Sequence, residues 1–151
     1  MAIHRAKSAQ ASPALVLAVF WLGMLVGVSF LATPVKFAAP NLSLPVALEV
    51  GRATFGVFSK VEWGLAALLL IAVFAGPLGA GARLAALLAA GSAAVQTLWL
   101  LPVLDARVGE IVAGAAPPAS SHHKVYVALE AAKALVLILI ACAALRRREA
   151  R

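Results

Sequence analysis

This sequence has little charge and almost no cysteine. Charged residues make up 13% of its 151 positions, against about 25% in a soluble domain, so there is too little polar surface to cover a water-soluble globule. The one cysteine, Cys142, excludes an internal disulfide and any multi-cysteine metal centre. It sits in the last apolar run, where a small packing residue is expected. There is no phosphate-cradling glycine loop, no HExxH helix and no recognisable Ser-His-Asp arrangement. No cofactor is implied, and the expectation is a protein that is not an enzyme. Histidine is absent from the apolar runs, which argues against a haem held between two membrane histidines.

Four long apolar stretches are present instead, at about 13–33, 61–78, 84–102 and 125–145. Each is near the ~20 residues needed to cross a hydrocarbon core of ~30 Å. One integral membrane domain over 1–151 is expected, with the bilayer as its surroundings. His4, Arg5 and Lys7 could be the basic start of a signal peptide, but the run after them outlasts the ~7–15 residues usual for one. An uncleaved spanning helix is therefore expected. Ser12-Pro13 makes a good helix start, because proline is tolerated in the first turn. Pro34 and Pro40 predict the first exit, Pro77 the second and Pro102 the third. Gly79-Ala80-Gly81-Ala82 predicts a tight hairpin between the second and third helices.

The net charge of +7 does not point to nucleic acid, because the basic residues crowd at the ends of apolar segments as orientation signals do. Arg5, Lys7, Arg83, Arg146, Arg147, Arg148 and Arg151 lie on one side, on short segments. Lys36, Arg52, Lys60, Arg107 and Lys124 are spread over two longer connections on the other. The denser side is read as cytoplasmic, with both termini inside an inner (plasma) membrane and both long connections outside. The first connection is more than a loop. On a helical wheel from Val46 to Lys60, the residues Glu49, Arg52, Gly56, Ser59 and Lys60 share one arc. An amphipathic helix running on into the second span is expected, with Glu62 turned toward other helices. The fold class is thus all-α, a four-transmembrane-helix bundle with an amphipathic extension at the outer end of helix 2. Glu49, Arg52 and Lys60 are the candidate surface for a membrane protein partner. The second connection, from Asp105 to Lys124, reads as irregular around Gly114 to Pro118, with a short surface helix from Leu104 to Ala113 and Ser120 or Ser121 capping the fourth span.

In the fourth span, His123, Tyr126, Glu130 and Lys133 follow spacings of three, four and three, a polar stripe down one helix face. Charge at mid-membrane costs about 2.5–3.5 kcal/mol on insertion scales, so pairing or water access is required. Two readings meet that need: a site for an ion, a proton or a polar ligand, and a Glu130–Lys133 pair that only holds the helices in register. Glu62, Gln96, Thr97, Thr33 and Lys36 add polar groups at a similar outer depth on the other three helices. The candidate binding set is therefore Lys36, Glu62, Gln96, His123, Tyr126, Glu130 and Lys133. In it, Glu62 or Glu130 would carry an ion or proton and Lys133 would be the counter-charge. His122 and His123 with Asp105 or Glu110 could form a surface metal site, against an ordinary reading as interfacial polar residues. Gly23 and Gly27 have the spacing that permits close helix approach, within the bundle or in a homo-oligomer.

The run from Ser29 through Thr33-Pro34-Val35-Lys36 to Pro40 is distinctive, as are Leu44-Pro45 and Gly51-Arg-Ala-Thr-Phe-Gly-Val-Phe58. With Leu100-Leu-Pro-Val-Leu-Asp-Ala-Arg107 and the Tyr126, Glu130, Lys133 stripe, the chain resembles a small four-helix membrane family related to human transmembrane protein 205. The resemblance implies a four-helix bundle with a long second helix, and no reaction or catalytic residue. Three functions are left open: a membrane protein that binds or transports a small ion or a polar or amphipathic ligand, a structural or assembly subunit of a larger membrane complex, and a metal- or redox-linked membrane protein using His122 and His123.

Overall fold

The structure, a computed structural model, describes residues 12–149. His4, Arg5, Lys7 and Arg151, which carry part of the orientation argument, lie outside the described residues. Four long helices follow one another: α1 (Pro13–Lys36), α2 (Leu44–Ala75), α3 (Ala80–Val112) and α4 (His122–Glu149), each long and apolar enough to cross a membrane. The short segments between them make neighbours antiparallel, and α1 and α3 each pack against both α2 and α4. The bundle thus has two ends. The turn end holds the 76–79 hairpin and the start of α1, and the connection end holds segments 37–43 and 113–121.

Local signals set the helix boundaries. The Ser12 hydroxyl accepts the Leu15 N–H at 3.2 Å, capping α1. At the far end of α3, Gly114 takes φ +86°. The Ala115 N–H then reaches back to the Glu110 carbonyl at 2.9 Å. This left-handed closure favours glycine because it has no Cβ to clash. The Ser120 hydroxyl accepts the His122 N–H at 3.2 Å at the start of α4.

Two prolines expected to end helices do not. α1 runs past Pro34 to Lys36, and α3 runs past Pro102 to Val112. Each proline follows a wide π turn, Val26–Ala32 in α1 and Gln96–Leu100 in α3. A proline ring normally clashes with the carbonyl four residues back and leaves it without a donor. A π turn shifts the bonding to the fifth residue, so the helix takes in the proline without breaking. In α1 the Thr33 hydroxyl also donates to the Val28 carbonyl at 2.8 Å. The segment Leu104 to Ala113, expected as a separate surface helix, is therefore mostly the last part of α3. At about 1.5 Å per residue, α2 and α3 each approach 50 Å, well beyond a ~30 Å hydrocarbon core.

The core of the turn-end half is dry. Ala82, Ala86 and Ala89 of α3 are buried against leucines and valines, among them Leu69 and Val73 of α2 and Leu137 of α4. Small side chains on α3 let its neighbours come close, which is how helices pack where no hydrophobic force drives them together. The outside is apolar as well, with Ile71, Leu98 and Leu135 each more than 60% exposed, a surface suited to lipid. Cys142 faces outward on this surface instead of packing in the core. At Gly23 and Gly27 nothing from another helix lies within 4 Å of where a Cβ would stand. Their spacing therefore plays no part in packing this chain's own helices.

Candidate functional site

One side chain from each helix meets in the middle of the bundle: Trp21 from α1, Glu62 from α2, Gln96 from α3 and Lys133 from α4. Glu130, one turn before Lys133, completes the cluster, and none of these five is more than 1% exposed. The Lys133 ammonium contacts Glu62 Oε1 at 2.5 Å, Gln96 Oε1 at 2.7 Å and Glu130 Oε1 at 2.8 Å. An ammonium has three protons to donate, so all three have acceptors. The Trp21 indole N–H donates to Glu62 Oε1 at 2.9 Å. Its ring lies 5.9 Å from the ammonium, within cation–π reach.

Glu130 is held from three sides. Ser29 donates its hydroxyl to Oε2 at 2.7 Å, Gln96 Nε2 donates to Oε1 at 2.8 Å, and Lys133 supplies the counter-charge. Gln96 Nε2 also lies 3.3 Å from the Tyr126 carbonyl. The Gln96 amide therefore has one workable orientation, with its oxygen toward the ammonium and its nitrogen toward the carboxylate. Ser29 lies within the π turn of α1, and Gln96 opens the π turn of α3. Both irregular turns thus bring a side chain onto the same carboxylate. Such bulges often mark functional positions in helices.

With both carboxylates ionised, the cluster carries two negative charges against one positive. In a low-dielectric interior a group of this kind holds only as a whole. Removing one partner of a buried pair typically costs about 3–5 kcal/mol, because a charge is left uncompensated.

Beside the cluster, at the connection end, lies a cavity of about 510 Å³. That is within the roughly 300–1,000 Å³ of small-molecule sites. The over-long ends of α2 and α3 form much of its wall, through Leu48, Gly51 and Phe55 on one side and Leu104 and Val108 on the other. Ser29, Tyr126 and Glu130 form the inner wall, where the Phe55 ring meets Tyr126 edge-on at 5.4 Å. Lys36, Arg52, Asp105 and Arg107 line the more exposed part, with His123. Arg52 and Asp105 form an ion pair at 3.4 Å. Arg107 donates to the backbone carbonyls of Pro117 and Pro118, which ties the 113–121 segment over the end of α3.

The residues expected to form one site thus divide in two. Glu62, Gln96 and Lys133 belong to the buried cluster and do not line the cavity. Lys36, His123 and Tyr126 line the cavity, and Glu130 belongs to both. Thr97 joins neither, and its buried hydroxyl has no hydrogen-bond partner. Of the expected docking surface, Glu49 and Lys60 are exposed. Arg52 is engaged with α3 of its own chain. His122 and His123 stand in the first turn of α4, not in the connection. The His122 ring is held by the Ser120 hydroxyl at 2.5 Å and lies edge-on to Trp99. Among the described residues no three of His, Cys, Asp or Glu gather as metal ligands would.

Trp21 and Ser29 were not among the expected site residues. Their signal lay in spacing: Ala14, Ala18, Trp21 and Leu25 form the buried stripe of α1, and Ser29 continues it by one turn. A buried indole N–H also needs an acceptor, and Glu62 was the acid expected to turn toward other helices.

No family model matches the chain, and neither a curated protein nor a solved structure does. The resemblance to the transmembrane protein 205 group therefore rests on its short motifs alone. What stands is the architecture: a small all-α membrane protein with four long apolar helices.

Proposed function

We propose that this protein binds a small amphipathic ligand in the connection-end cavity, with the charged cluster as the scaffold that holds the cavity open. The observation that carries this reading is the double membership of Glu130. It is fixed by Ser29, Gln96 and Lys133, yet it also lines a cavity of ligand size. A pair serving only helix register would need no such opening beside it. The mostly apolar wall with a few placed polar groups is the usual make-up of a ligand site. Binding is the core of the proposal. Carriage across the membrane would require a path through the dry half, and the packed alanines of α3 speak against one.

The alternative, a structural or assembly subunit, draws on a different observation. The Lys133 ammonium is fully bonded and has no room for a further ligand, as a register-setting group would be. Native mass spectrometry separates the two readings. Protein released from mild neutral detergent should carry a small-molecule adduct. Gly51→Leu, which projects a side chain into the cavity, should lose it while keeping its helicity. Adducts retained equally by both proteins, or absent from both, would favour the structural role.

A further inference from the structure

Charge around the cavity is unevenly matched. Arg52 and Asp105 neutralise each other, and Glu130 shares Lys133 with Glu62. Two cations of the lining then lack a carboxylate among the described residues. Arg107 has only the Pro117 and Pro118 carbonyls, which accept its protons without cancelling its charge. Lys36 has the face of Phe37 at 5.1 Å. Its ammonium lies so close over Gly51 that a Cβ at that position would make the amine shift. The missing side chain at position 51 thus leaves the space that the Lys36 amine occupies beside the cavity.

The rest of the lining sets the other half of the ligand. Phe30, Phe55, Leu104, Val108 and Ile111 face the same space and suit an apolar chain or ring. Glu130 stands on the inner wall. A negative head group placed deep in the cavity would meet that carboxylate, whereas one at the exposed part would meet Lys36 and Arg107. The charges therefore select both the sign of the ligand and its direction, head at the mouth and apolar body inward.

We propose that the cavity takes a single-tailed amphipathic anion, a carboxylate or phosphate on one apolar chain, with Lys36 and Arg107 as counter-charges for its head. This rests on the binding reading above and narrows it to one ligand class.

The test is a titration of the full chain in neutral detergent or nanodiscs, read by native mass spectrometry. The probes are dodecanoate, monododecyl phosphate, dodecanol, dodecyltrimethylammonium and inorganic phosphate. The two anionic amphiphiles should bind more tightly than dodecanol or the ammonium amphiphile, and the stronger of the two identifies the head group. Inorganic phosphate alone should bind far more weakly, since it lacks the chain. Lys36→Gln should weaken the anions roughly tenfold or more, the scale of a lost charged hydrogen bond, and leave dodecanol unchanged. Gly51→Leu should abolish binding of every amphiphile while the chain stays folded and helical. If dodecanol or the ammonium amphiphile binds as tightly as the anions, the anion assignment is wrong while the cavity remains a binding site. If no amphiphile distinguishes the wild type from Gly51→Leu, the binding reading itself fails.

Discussion

The two halves of this bundle solve the same problem in opposite ways. Toward the turn end, α3 presents Ala82, Ala86 and Ala89, and the helices close on one another with no buried polar side chain among the described residues. Toward the connection end, the same four helices are joined by Trp21, Glu62, Gln96, Glu130 and Lys133, and they part to leave a cavity. In lipid, apolar side chains gain nothing from avoiding water, so the dry half depends on shape. The charged half depends on its shared ammonium and its hydrogen bonds, because a charge left without them there is far costlier than a packing fault. A tight half anchors the helices, and a bonded but looser half can hold an opening. The irregular turns fall on the same side of this division: both π turns and the two prolines that follow them, Pro34 and Pro102, lie at the cluster or beyond it toward the cavity.

The largest effect expected from breaking the contrast is at Lys133. Lys133→Met leaves Glu62 and Glu130 facing each other without a counter-charge. Stability measured by denaturant titration in detergent should fall by about 3–5 kcal/mol. Adding Glu62→Gln and Glu130→Gln to that variant removes the stranded charges and should recover most of the loss. A triple variant no better than the single one would mean that the cluster acts through packing instead of charge.

A smaller effect is expected in the dry half. Ala89→Leu forces extra volume between close helices and should cost about 1–3 kcal/mol. It should leave amphiphile binding unchanged, because Ala89 is remote from the cavity lining. Loss of binding in this variant would show that the two halves are coupled more tightly than their packing suggests. The smallest effect is at Ser29. Ser29→Ala removes one of several donors to Glu130 and should cost about 0.6 kcal/mol, the average for such bonds in membranes. A cost several times larger would make the π turn of α1, and not the ammonium, the chief restraint on Glu130.

Much of this was legible in the sequence, and the rest was hidden for physical reasons. The four helices declare themselves through apolar length. The Tyr126, Glu130, Lys133 stripe does so through helical spacing, which needs no knowledge of the neighbours. The continuity of α2 through Arg52 and Glu62 followed from the absence of proline between them. Pro34 and Pro102 misled because a proline normally ends a helix, and nothing in the letters announces the π turn that accommodates it. Trp21 and Ser29 were missed because their partners lie on other helices, and the rotation of one helix against another is set by packing. The division of Glu62, Gln96 and Lys133 from Lys36, His123 and Tyr126 was invisible for the same reason. Depth along a helix can be counted in residues, but which side of a cluster opens to a cavity cannot.

If one half of the bundle is dry and the other opens onto Glu130, thiols placed in the two halves should react differently in reconstituted bilayers. Cys142 is first replaced by alanine, and single cysteines are then placed by Ser29→Cys and Ala89→Cys. A small hydrophilic methanethiosulfonate reagent should modify the cysteine at position 29, beside Glu130, and leave the one at position 89 untouched. Equal protection of both positions would mean that the cavity is closed to water and that Glu130 is a structural charge alone.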